Sequence, residues 1–197
     1  MKRVSSQLVV LGLVAALGSV TAGSVQAAET PYQGIQYRGP AQNVALATSG
    51  AVASASSTGW GDFAPSSASK LIDDRRSGFD SYWTDDTVDE FPDVVQINFF
   101  GNKTIDRVVV YSVQDNYFDG VDPTDTDPCY VYGLVDFTVE GWNGRDWVTL
   151  GNVTDNLLCK RTVTFLPFTT DQIRINVTIT GGWSWTRIAE VEAWEAQ

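Results

Sequence analysis

Near the C-terminus the stretch GGWSWTRIAEVEAW (181–194) places Trp183 and Trp185 two residues apart behind a Gly-Gly pair. On a strand or extended loop that spacing turns both indoles the same way. Two further stretches set aromatics beside planar polar groups: STGWGDF, with Trp60 and Phe63, and QDNYFDG, with Gln114, Asp115, Asn116, Tyr117 and Phe118. Flat rings next to amides and carboxylates suit a ligand that carries both apolar patches and hydroxyls, and Asp115 and Asn116 could take the hydroxyls. The competing role for any such ring is packing. Trp83, Trp142, Trp147 and Trp194 lie on or at the ends of strand-like runs and read as packing residues, and QDNY can equally be a structural turn.

Catalytic chemistry has little to work with. The sequence contains no histidine, which removes Ser-His-Asp and Cys-His nucleophile activation and the usual zinc sites. Acidic residues cluster in DGVDPTDTD (Asp119 to Asp127) and around Asp85, Asp86, Asp89 and Glu90. The first lacks the ligand order of an EF-hand loop, so both read as solvated loops. A glycosidase pair needs two carboxyls at a set separation, which the sequence does not supply. A binding protein is expected, not an enzyme. Cys129 and Cys159 are the only cysteines. In an oxidising compartment an even count suggests a bridge, whose loop closure would stabilise by roughly 3–4 kcal/mol; two buried thiols are the alternative.

The elements that must position these groups are short strands. Residues 1–28 read as an export signal: Lys2 and Arg3, then LVVLGLVAALGSV, then small residues that place a cut near Ala27. The expected product is secreted and has no transmembrane segment. Losing Lys2 and Arg3 leaves 11 basic residues against 24 acidic ones, a net charge of −13, which disfavours nucleic acid and anionic membranes. Residues 29–42 show no periodicity and read as a linker or N-terminal arm. From Asn43 onward, strands are expected at 51–56, 94–100, 104–113, 135–142, 146–151, 161–168, 172–180 and 187–194. In VDFTVEGW, Val135, Phe137, Val139 and Gly141 share one face. Asn143-Gly144 marks a hairpin turn. One short helix is expected within 65–74, capped by Ser66 or Ser67, with Leu71 and Ile72 inward. The sum is an all-β jelly-roll β-sandwich of two antiparallel sheets.

Three sets of segments, taken in order, resemble the coagulation factor V/VIII type C (discoidin) domain and its bacterial relative, the family 32 carbohydrate-binding module. They are NVALATSGAVASASSTGW; SASKLIDDRRSGFDSYW with FPDVVQINFFGNKTIDRVVVYS; and VDFTVEGWNGRDWVTL with TTDQIRINV and RIAEVEAW. The resemblance spans Asn43 to Trp194 and makes 43–197 one discoidin-like, galactose-binding-domain-like unit. It departs from the family in a longer loop between Asp73 and Trp83, in VQINFFG, and in lacking the histidine that many galactose-binding members use. The resemblance implies a lectin-like glycan site at the loop end, with Trp183 or Trp185 as the stacking ring. It also implies a structural calcium held by the carbonyls of Lys70, Arg75 and Ala189, by Ser81, and by the carboxylates of Asp73 and Glu190. Calcium's preference for six to eight oxygens suits such a set; the alternative for Glu190 is an ion pair with Arg76 or Arg187. A discoidin-type adhesion module meeting a protein, cell-surface or matrix partner is the other function the resemblance allows.

Overall fold

The computed structural model describes residues 39–61 and 66–197. The export signal, most of the 29–42 arm and Phe63 lie outside the described residues. Seven strands follow in chain order: β1 (Val52–Ala55), β2 (Trp83–Thr84), β3 (Asp93–Ser112), β4 (Leu134–Trp142), β5 (Trp147–Val153), β6 (Lys160–Thr180) and β7 (Arg187–Glu195). All pair antiparallel, in the order β2-β7-β3-β6-β4-β5, with β1 on β3. The fold is the expected β-sandwich.

Two strands are longer than their sequence suggests. β3 joins the expected 94–100 and 104–113 segments, and β6 joins 161–168 and 172–180. Their shared register slips between Asn98 and Lys103, where both strands pass from one layer to the other. Residues 93–98 of β3 face 172–177 of β6, beside β1 and β4; residues 105–111 face 160–168, beside β7. Even-numbered Val108 and Val110 enter the main core with Ile105, Val139, Ile173, Ile175 and Val191. At about 1.5–3 kcal/mol for each fully buried aliphatic chain, this core is the main stabilising term. Odd-numbered Val109 and Tyr111 point the other way, where Tyr82, Val113, Tyr117 and Ala189 form a second cluster.

Local chemistry explains the connections. Ser67 Oγ accepts from the Ser69 amide and starts the short 3₁₀ helix Ala68–Ile72, which buries Leu71 and Ile72. Leu134 faces Thr180 and Asp136 faces Ile179, so Val135 is an extra residue. The bulge puts Leu134 into the core in place of Val135, while Phe137, Val139 and Gly141 face inward as their alternation requires. At the β4–β5 turn Asn143 Oδ1 accepts from the amides of Arg145 and Asp146, and Gly144 takes the left-handed φ of 93°. Trp142 and Trp147 pair across this hairpin at 5.4 Å, and Trp83 is fully buried. Cys129 and Cys159 form a disulfide with Cα atoms 4.9 Å apart, tying the loop before β4 to the start of β6.

Candidate functional site

The β6–β7 turn carries Trp183 and Trp185, and neighbouring backbone holds it. The amides of Gly181, Gly182 and Trp183 donate to the carbonyls of Gly133 (2.8 Å), Tyr130 (2.9 Å) and Val131 (3.1 Å). A Cβ on Gly181 would lie 2.5 Å from the Tyr130 carbonyl oxygen, so only glycine allows this approach. The other side of the turn is pinned by Asp85, whose Oδ1 accepts from the Thr186 amide at 2.7 Å. Its Oδ2 takes the Thr87 amide and hydroxyl at 2.9 and 3.0 Å. The expectation of a solvated turn therefore fails at Asp85, which is 1% exposed: four residues of acidic character hid one that serves as an internal acceptor. Burial pushes its carboxyl above the usual range, while the Thr87 and Thr186 donors pull it back.

Gly59 lies against the same segment, its amide donating to the Thr84 carbonyl at 2.9 Å, and this delivers Trp60. Trp60 from one loop and Trp183 and Trp185 from another thus converge on an open cavity of about 300 Å³ that also meets Thr84, Asp85, Asp86 and Arg187. Trp60 is 77% exposed and Trp183 48%. The rings of Trp183 and Trp185 lie 6.0 Å apart, tilted by 39°. Arg187 is buried, with its guanidinium 4.7 Å from the Tyr132 ring centre and 5.7 Å from that of Trp183. Its side chain makes no ion pair or hydrogen bond among the described residues, and Nε is buried without a partner. Aromatic walls with a polar, unsatisfied base can take a ring that has an apolar face and hydroxyl acceptors. Sequence reasoning missed Arg187 and Asp85. Arg187 opens the strand RIAEVEAW as its only basic residue, and that was the available signal.

The 114–117 segment is placed differently. Gln114 is buried, and its Nε2 donates to the Val121 carbonyl at 2.5 Å. Asp115 accepts from three successive amides, those of Tyr130, Val131 and Tyr132, at 2.8–3.2 Å. Asn116 Nδ2 donates to Asp119 Oδ2 at 2.9 Å. Tyr117 is buried in the second cluster, edge-on to Tyr132 with ring centres 5.8 Å apart. None of these four residues lines the tryptophan cavity. Gln114, Asp115 and Asn116 border a separate hollow with Asp119, Asp122 and Tyr130.

The residues assigned to calcium come together in part. Glu190 is fully buried on β7, and its Oε2 accepts from the amides of Asp73 (3.1 Å) and Asp74 (3.2 Å). Its Oε1 is buried with no partner. Asp73 sits beside it, accepting from Ser81 Oγ through Oδ2 and from the Arg75 amide through Oδ1 at 3.3 Å. Burial and the neighbouring Asp73 charge push the Glu190 carboxyl up to about 9. The ion-pair alternative does not form: Arg76 pairs with Glu192 at 2.5 Å, and Arg75 with Asp80. Among the described residues no three His, Cys, Asp or Glu gather as a metal cluster, so a cation here would draw on backbone carbonyls, such as those of Lys70, Arg75 and Ala189, beside two carboxylates. An orphaned carboxylate oxygen next to a second carboxylate and a buried serine fits a hard, oxygen-seeking ion.

The sandwich matches solved structures of family 32 carbohydrate-binding modules, the class that shares the discoidin fold. The module from Streptococcus pneumoniae EndoD has a TM-score of 0.60 at 16% identity, covering 79% of this chain and 100% of that one. Chitosan-binding module 1 of a Paenibacillus sp. IK-5 chitosanase/glucanase gives 0.58 at 20% identity over 78% and 98%. The family 32 module of Clostridium perfringens NanJ, solved with galactose, gives 0.55 at 18% identity over 79% and 99%. No family model matches the sequence, and no curated protein does. At these identities the likeness defines the fold.

Proposed function

We propose that this chain is a secreted, non-catalytic glycan-binding module whose ligand stacks in the Trp60–Trp183–Trp185 cavity. The carrying observation is the convergence of three exposed or half-exposed indoles over a buried Arg187 that is unpaired among the described residues. Rings of this kind cover the C–H face of a sugar, and a guanidinium with free donors takes its oxygens. The reading is supported by structural neighbours described as bound to galactose, bound to GalNAc-β-1,3-galactose, or chitosan-binding. Affinity per site is expected to be weak and raised by clustering. Titration calorimetry with galactose, N-acetylgalactosamine and chitosan oligomers tests it. Saturable binding that disappears in Trp183→Ala and Trp185→Ala supports the reading; binding to none of a broad glycan panel refutes it.

Calcium belongs to the same proposal as a fold staple. Asp73, Ser81 and Glu190, with nearby carbonyls, would hold it, and the ion would neutralise two adjacent carboxylates while joining the 73–81 loop to β7. Calcium at about 100 times its Kd would stabilise by about 2.7 kcal/mol. A chelator is therefore expected to lower the Tm of the wild type and to leave that of Glu190→Gln unchanged. An identical Tm with and without chelator in the wild type would remove the ion from the account.

A further inference from the structure

A second cavity, of about 320 Å³, opens on the outer face of the sheet and shares no residue with the tryptophan cavity. Strand register creates it. Arg107 faces Trp194 across β3–β7, Val109 lies between Glu192 and Thr162, and Tyr111 faces Lys160 across β3–β6. Side chains at every second position of three adjacent strands therefore share one outward surface.

The polar groups on that surface are fixed by a chain of contacts. Arg76 Nε donates to Glu192 Oε1 at 2.5 Å, and Glu192 Oε2 accepts from Trp194 Nε1 at 2.9 Å. Over the Trp194 ring thus held lies the Arg107 guanidinium, 5.0 Å from the ring centre. Lys160 is paired with Asp125 at 2.9 Å and sits 5.9 Å from the Tyr111 ring centre. Glu192 is thereby balanced by Arg76 and Lys160 by Asp125, which among the described residues leaves Arg107 as the unbalanced cation lining this cavity. Arg107 makes no ion pair or hydrogen bond among the described residues, and its Nε is buried without an acceptor. The contact with the Trp194 ring satisfies none of the guanidinium donors. An unmet buried donor is costly, and an incoming acceptor would remove that cost.

We propose that this face is a second ligand site, in which Arg107 takes the carboxylate of a single acidic sugar unit of the uronic-acid type. One unbalanced guanidinium calls for one planar anion, and carboxylate matches its paired donors. A polyanionic partner would meet the repulsion of a chain with 24 acidic residues. The exposed Thr162 offers a hydroxyl to the remainder of a sugar ring. The cavity volume is at the small end of the usual range for ligand pockets, about 300–1,000 Å³.

The test is an amide and indole NMR titration of the full chain with methyl glucuronide, methyl glucoside and acetate. Methyl glucuronide is expected to shift the Trp194 indole N–H and β3 and β7 amides, and to leave the Trp183 and Trp185 indoles in place. Arg107→Gln should weaken this response at least about tenfold, the loss expected for a charge-assisted contact. Trp183→Ala should not alter it, which keeps this site's fate separate from that of the tryptophan cavity. Should Arg107→Gln not fold, Arg107→Lys, which keeps the charge but loses the fork, is expected to weaken binding as well. The proposal is overturned if Trp194 does not respond, if methyl glucoside shifts it equally, or if acetate binds as tightly as the glucuronide.

Discussion

Two neighbouring loops look alike in the sequence and behave oppositely in the fold. Both QDNYFDG and GGWSW set aromatics among polar residues. In the first, Asp115 spends both oxygens on three backbone amides, Gln114 donates to a carbonyl, and Tyr117 is buried. In the second, Trp183 stays half exposed, and Arg187 beneath it keeps a buried Nε with no partner among the described residues. The two are mechanically linked. Asp115 orders residues 130–132, and the carbonyls of Tyr130 and Val131 then hold Gly182 and Trp183. The 114–117 loop is the scaffold and the 183–187 loop is the surface it presents. Proximity of ring and polar group in sequence does not separate these roles; what decides is whether the polar atoms are already satisfied by the chain.

Perturbations of the scaffold should cost stability first and binding second. Removing the Cys129–Cys159 bridge with paired serines is expected to destabilise by about 2–5 kcal/mol, seen as a lower urea midpoint, and to weaken glycan binding through the loosened 130–133 segment. Asp115→Ala leaves three amides without their acceptor and should cost about 2–4 kcal/mol in the same measurement; a loss below about 0.5 kcal/mol would break the distinction between scaffold and surface. Asn116→Ala removes one exposed contact to Asp119 and should change both stability and affinity little, within about 0.5 kcal/mol by denaturation. A large loss of binding in Asn116→Ala would instead return the 114–117 loop to the ligand site.

The strand pattern made much of the fold legible. Alternation in VDFTVEGW located Phe137 and Val139 in the core, Asn143-Gly144 located the hairpin, and the Leu71-Ile72 pair located the short helix. Two features stayed hidden because they are set by partners distant in the chain. The bends that make single strands of 93–112 and 160–180 arise from passage between layers, and the bulge at Val135 arises from pairing with Ile179 and Thr180. The candidate site was partly legible: residue type and glycine neighbours picked out Trp60, Trp183 and Trp185. Asp85 looked like any acid in a polar turn until Thr186 folded onto it, and Arg187 gained its meaning only from the rings of Tyr132 and Trp183.

The central claim is that indoles held open on a braced turn, not a reacting group, give this chain its activity. Its most direct test is calorimetric glycan binding by wild type, Trp183→Ala and Trp185→Ala, with urea midpoints recorded in parallel. The account predicts at least about tenfold weaker binding in each variant, a loss of about 1.4 kcal/mol or more, with urea midpoints close to wild type. Unchanged affinity in both variants would contradict it.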